Sequence, residues 1–176
     1  MVKVLIVIGS ARKGRIADKI TELVKFSLDQ KSNVEVGVAD LAESELPFFD
    51  NENAPSSPEY KVSNKAVMYW SKQVTDSDVV VFITPEYNHS LSAIQKNAID
   101  SLYVEWKDKK VVVIGYGWYG GSHSLAAIRE LAPVIKIDLQ DNPAELYFTK
   151  DIQPDGSVIE GSDAMAKINS ALNSII

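Results

Sequence analysis

Short apolar runs and longer amphipathic stretches alternate along the chain. The runs at 2–8, 78–84 and 111–115 are dominated by β-branched residues and carry almost no polar interruption. Runs this short and this continuously apolar predict strands covered on both faces, as in a parallel sheet. Residues 34–40 and a short segment at 145–149 supply further strands. Between them, a helix is expected from about residue 14 to 30, with Ile16, Ile20, Leu23 and Val24 on one face. A second, at about 59–75, carries Val62, Ala66, Met68, Tyr69, Trp70 and Val74, all read as packing positions. A third carries Leu91, Ile94, Ala98, Ile99 and Leu102, with Ser90 or Ser92 as its cap. A fourth passes through Leu125, Ala126, Ile128, Leu131 and Ala132, the segment 133–139 is apolar with one lysine, and residues 161–176 form a terminal amphipathic helix.

Strands alternating with helices predict an α/β fold, a doubly wound parallel sheet with helices on both faces, in one domain over residues 1–176. Ligands of such sheets bind beyond the carboxyl ends of the strands at the topological switch point. Three loops, 9–15, 85–90 and 116–123, fall on that rim. A fourth, at 41–60, is rich in Pro, Asn, Ser and Glu; it is either an acidic excursion whose Phe48 and Phe49 plug the core or a ligand contact.

The first rim loop carries the most chemistry. Gly9 permits a sharp turn, Ser10 brings a hydroxyl, Arg12 and Arg15 bring guanidinium forks, and Ile16 opens the helix that follows. Free N–H groups and the positive end of the helix dipole converge there with those side chains, an arrangement suited to phosphate. A plain βα turn with solvated arginines is the alternative, because neither the G-x-G-x-x-G nor the Walker spacing is present. The second loop offers Tyr87 and Asn88, a flat aromatic beside an amide, and the third offers glycines that let backbone approach a planar ring. Each loop alone fits a structural role. Together on one rim they describe a site for a mononucleotide with a flat polar ring.

Composition narrows the classes. With no cysteine, thiolate catalysis, iron–sulfur clusters and zinc–cysteine sites are excluded, so redox chemistry would need a borrowed cofactor. A net charge of −6 speaks against nonspecific nucleic-acid binding. Lys3 interrupts the first apolar run and a polar loop follows it, which fits neither a signal peptide nor a membrane span; a cytoplasmic location is expected. His89 and His123 stand far apart in sequence and read as surface or turn residues, so no metal site is expected. Ser124 beside His123 lacks a nucleophile motif, and no catalytic side chain is assigned.

The segment from Gly9 to Arg15, the run Pro85-Glu86-Tyr87-Asn88-His89-Ser90 with Lys96-Asn97-Ala98-Ile99-Asp100 after it, and the loop from Gly117 to Gly121 resemble the NAD(P)H-dependent FMN reductase family, which includes azo-, quinone- and chromate-reducing members. The resemblance covers roughly residues 1–135. It implies a flavodoxin-like fold with a five-stranded sheet in the order 2-1-3-4-5, FMN as cofactor and NAD(P)H as co-substrate. By the same resemblance Ser10 and Arg12 hold the FMN phosphate, and Arg15, where the family commonly has a small hydroxyl residue, completes the cradle with Ile16. Pro85, Glu86, Tyr87 and Asn88 line the ribityl chain and ring edge, and Gly117, Gly120 and Gly121 approach the pyrimidine side. Lys96, Asn97 and Asp100 support the helix and subunit contacts of a homodimer or homotetramer. Ser92-Ala93 and Gln95 depart from the family's Pro-Gly and apolar residue. The activity implied is electron transfer to a quinone, azo compound, metal oxyanion or flavin. Rival readings are a flavodoxin-type electron carrier and a partner-binding protein controlled by flavin redox state.

Overall fold

The computed structural model describes residues 1–175, so the end of the expected terminal helix, at Ile176, lies outside the described residues. Its central layer is a parallel sheet of strands β1 (Val2–Ile8), β2 (Val34–Asp40), β3 (Val79–Pro85), β4 (Lys110–Gly117), β5 (Asp138–Leu139) and β6 (Ala144–Tyr147). The order is β2-β1-β3-β4-β5, with β6 also paired to β4. Every residue of β3 is buried, as are all of β4 but its first, which is why these strands read as unbroken apolar runs.

The five-strand expectation needs one refinement. The fifth position is filled by two short strands: β5 pairs with Lys110 and Val111, β6 with Ile114 to Gly117. Between them lies Gln140-Asp141-Asn142-Pro143, polar turn formers ending in a proline without an N–H to give the ladder.

Helices α1 (Ala17–Asp29) and α5 (Ala164–Asn173) bury Ile20, Val24, Leu28, Ile168 and Leu172 on one face of the sheet. The other face is covered by α2 (Lys65–Asp76), α3 (Ala93–Asp100) and α4 (Ser122–Ile135), around Trp70 and Trp106, whose rings meet edge to face at 6.0 Å. Both indole N–H groups donate to α3 carbonyls, of Ala98 and Ile99, so neither large side chain buries an unpaired donor.

Helix α2 starts at Lys65, later than expected, where Asn64 accepts from the N–H groups of Ala66 and Val67. Val67, Trp70 and Val74 form its buried stripe, whereas Met68 and Tyr69 are exposed and do not pack as expected. The advance of 100° per residue sets 68 and 69 away from that stripe. Helix α4 likewise runs past Pro133 to Ile135 and absorbs much of the apolar 133–139 segment. Phe48 and Phe49 do not plug the core: Phe48 is 75% exposed, and the Asn97 side chain anchors their loop by donating to the Pro47 carbonyl and accepting from the Phe49 N–H.

The order reverses around β1. The connection from β1 leads outward to β2, and the chain returns to place β3 on the other side, so the loops leaving β1 and β3 diverge and open a crevice at the carboxyl edge.

Candidate active site

The loop after β1 is shaped by close packing beneath it. Gly9 keeps a negative φ, so turn freedom is not why glycine stands there; a Cβ would lie 2.3 Å from Gln95 Oε1 and 3.0 Å from the Ile83 carbonyl. Ser92 caps α3 and also donates its hydroxyl to the Gly9 carbonyl. Gln95 donates to Thr84 Oγ1 at 3.0 Å, while its Oε1 has no partner among the described residues. The two departures from the family pattern at 92 and 95 therefore sit directly under this loop and fix its start.

Above that floor the backbone N–H groups of Ser10, Ala11, Arg12, Lys13 and Gly14 have no acceptor among the described residues. Arg12 makes no ion pair among the described residues either. Arg15 is different. Its guanidinium takes Asp40 in a two-pronged ion pair, contacts Asp18 at 3.0 Å and donates to the Ser10 carbonyl at 2.6 Å. The hydrogen bond to Asp40 is the main cause that raises the Arg15 pKa above its ordinary value. Burial pushes the Asp40 carboxyl up, but the hydrogen bonds from Arg15 and the Ala42 N–H outweigh it and hold the group below the usual carboxylate range.

After β3 the chain makes a two-residue hairpin. Tyr87 and Ser90 exchange both backbone hydrogen bonds at 3.0 Å, and the residues between them, Asn88 and His89, have φ of 47° and 61°. Paired positive φ values are what a type I′ turn requires, and Asn and His tolerate them better than most side chains. Tyr87 is thereby aimed back across the rim, where its hydroxyl meets Ser10 Oγ at 2.9 Å.

The third loop follows β4. Gly120 and Gly121 have φ of 65° and 80°, and a Cβ on Gly121 would come within 2.7 Å of Gly115 Cα and the Tyr116 nitrogen. A Cβ on Gly120 would strike the Tyr147 ring at 2.7 Å. These two glycines fold the turn onto its own strand.

Together the loops enclose a crevice of about 390 Å³, a size usual for small-molecule sites. Of the residues expected to contact a cofactor, Ser10, Arg12, Arg15 and Ile16 line it from the first loop, Pro85, Glu86, Tyr87 and Asn88 from the second, and Gly117 from the third. Gly120 and Gly121 stand outside it. The crevice also takes in His89, Tyr116, Trp118 and Tyr119, and on its far side Phe148 and Pro154. Phe148, at the end of β6, meets Trp118 edge to face at 5.4 Å. Neither Phe148 nor Pro154 carries a sequence signal: the pairing of β6 with β4, followed by the bridge between Phe148 and Ile152, brings this segment to the rim. Burial pushes the Tyr116 hydroxyl up to about 12, so it keeps its proton at neutral pH and can donate into the crevice.

The two histidines do not stay apart. His89, in the hairpin, and His123, in the first turn of α4, meet with ring centroids 4.2 Å apart, and His123 Nδ1 lies 3.0 Å from the Glu86 carboxylate. Spacing along the chain gave no sign of this; the adjacency of β3 and β4, with Pro85 in register with Tyr116, raises both loops side by side.

A loop of open N–H groups, flat aromatic walls and a crevice at the switch point agree with the family model described as NADPH-dependent FMN reductase, which matches residues 2–148. The chain belongs to this family. Among its relatives, the NAD(P)H-dependent FMN reductase of Saccharomyces cerevisiae is 31% identical over 146 residues, 78% of this chain and 76% of the relative. The FMN-dependent NADPH-azoreductase of Staphylococcus haemolyticus is 31% identical over 136 residues, covering 76% and 69% of the two chains. In solved structures, the flavoenzyme NAD(P)H:(acceptor) oxidoreductase of Paracoccus denitrificans superposes with a TM-score of 0.72, at 23% identity, over 99% of both chains, which establishes the shared flavodoxin-like fold.

Proposed function

We infer that this FMN reductase family member is an oxidoreductase that uses bound FMN to pass electrons from NAD(P)H to a small acceptor: a quinone, an azo compound, a metal oxyanion or a flavin. The observation that carries the reading is the row of N–H groups from Ser10 to Gly14 that, like Arg12, are unpaired among the described residues, directly beside the aromatic walls of the crevice. Such a row fits a phosphate monoester, and the walls fit a flat ring.

When bound, FMN supplies a ring that takes a hydride from the nicotinamide and gives up electrons to the acceptor. The chain's part is to bind and orient. Ser10 and Arg12, with the loop amides, hold the phosphate, and Arg15 fixes the shape of the loop by tying it to Asp40. Tyr87, Asn88, Pro85 and Glu86 flank the ring and its side chain, Gly117 lets backbone come close, and Trp118, Tyr119 and Phe148 shield the crevice from water. No acid or base is assigned among them.

The same reading takes residues 1–176 as one domain, places the protein in the cytoplasm and makes it a homodimer or homotetramer, an expectation taken from the resemblance to the family. No helix among the described residues is long and apolar enough to cross a membrane, and the net charge of −6 disfavours nucleic acid as a partner.

The test is the visible absorption spectrum of the purified protein, followed by anaerobic addition of NADPH and then NADH. Flavin bands that bleach are the expected result. Bands that persist with both nucleotides point to a carrier or a redox-controlled binding protein, and no bands after FMN reconstitution would overturn the phosphate loop.

A further inference from the structure

We propose that Glu86, His89 and His123 form a binding site for one divalent transition-metal ion of the zinc class at the edge of the crevice. Their ligand atoms converge among the described residues: His123 Nδ1 lies 3.0 Å from Glu86 Oε1 and 3.2 Å from His89 Nδ1, and His89 Nδ1 lies 3.9 Å from Glu86 Oε1. An ion with tetrahedral ligands at about 2.0–2.2 Å separates them from one another by about 3.4 Å, in the middle of these three values. Two imidazole nitrogens and one carboxylate oxygen are donors that favour zinc and neighbouring first-row ions over calcium or magnesium, which take oxygen sets.

Hydrogen bonds can tie this trio: with His123 Nδ1–H donating to Glu86 Oε1 at 3.0 Å, His123 Nε2 is left to accept from His89 Nδ1 at 3.1 Å. A cation would instead take a lone pair from all three groups at once.

The surroundings hold the trio in place. The Glu86 side chain is only 7% exposed, and its second oxygen accepts the His123 backbone N–H at 3.2 Å, which leaves Oε1 turned toward the rings. Tyr119 packs against both imidazoles, at centroid distances of 5.1 and 5.3 Å. His89 is carried at φ 61° by the hairpin, a position where glycine would be less strained, and strained backbone of this kind gathers at functional positions. Three protein donors leave the fourth position of a four-coordinate ion open to water or to an oxygen- or nitrogen-bearing ligand.

Calorimetric titration of zinc chloride into the FMN-loaded protein should give one ion per chain, and His89→Ala and His123→Ala should each weaken binding at least about tenfold. No saturable heat, or affinity that both variants retain, would overturn the site. Because the chain has just two histidines, a second readout needs no variant. Both imidazole proton resonances of the unaltered protein should shift in step with the first equivalent of zinc; if either stays still, the proposal fails. Heat and resonance are independent of NAD(P)H turnover, so this test and that of the proposed activity can fail separately.

Discussion

The loops leaving β1 and β3 stand side by side on one rim and are built in opposite ways. The first is unfinished: among the described residues its N–H groups from Ser10 to Gly14 have no acceptor and Arg12 has no counter-charge. The second is closed on itself, with Tyr87 and Ser90 exchanging backbone bonds across a strained two-residue turn. An open loop gains its missing bonds from a ligand, so its energetics appear on binding. A closed loop has settled its bonds already and contributes shape. Within the first loop the same division separates two residues of one type: Arg12 has no ion pair among the described residues, and Arg15 already has Asp40.

Replacing Arg12 should break the open loop. Arg12→Ala is expected to weaken FMN about ten- to a hundredfold, or about 1.5–3 kcal/mol, as for a charge-assisted contact, with little change in the melting temperature of the flavin-free protein. A fluorescence titration of FMN measures it, and unchanged affinity would remove Arg12 from the site.

Arg15→Ala should show the reverse emphasis. It leaves Asp40 partly buried without its partner, so stability should fall by about 1–3 kcal/mol in urea unfolding, less than for a fully buried pair because both groups keep some contact with water. If Arg15→Ala instead lost FMN as severely as Arg12→Ala while staying equally stable, the division of labour between the two arginines would be wrong.

The pH dependence of that pair sharpens the comparison. Asp40 has a folded pKa below its unfolded value near about 3.9, so the ion pair's stabilisation is complete above that value and is lost as pH falls through the lowered folded pKa. The stability gap between the parent chain and Arg15→Ala should therefore be constant from neutral pH to about 5 and shrink below about 4. A gap that persists undiminished in strong acid would assign Arg15 a packing role.

The bridge between the loops is weaker. Tyr87→Phe removes the bond to Ser10 and keeps the ring, for a cost of about 0.5–1.5 kcal/mol in thermal unfolding. Smallest is His89→Gly, which in metal-free buffer should stabilise the chain by about 0.5 kcal/mol, the relief of positive φ being partly offset by a freer unfolded chain. Destabilisation there would mean that the imidazole contributes more to packing than the turn costs.

Much of this was legible in one dimension. Buried parallel strands are continuously apolar whatever their order, so β1, β3 and β4 announce themselves, and the polar loops that end them announce the rim. The weaker expectations fell where a residue's face depends on a partner. Met68 and Tyr69 satisfy an apolar count and still point outward, because a helix has one buried stripe and Val67, Trp70 and Val74 occupy it. Phe48 and Phe49 look like core residues and lie outside it, since their loop is tethered through its backbone to Asn97.

By itself the sequence determined the fold class and the family, because these rest on local patterns of burial, turn chemistry and motif. Tertiary structure alone decided the partners. Register places Asp40 opposite Ile8, at the mouth of the first loop, and so gives Arg15 its counter-ion. Pairing of β6 with β4 carries Phe148 into the crevice, and the adjacency of β3 and β4 joins His89 to His123 across 34 residues of chain. Contacts between such distant residues are fixed by strand order and register, which no local stretch of sequence encodes.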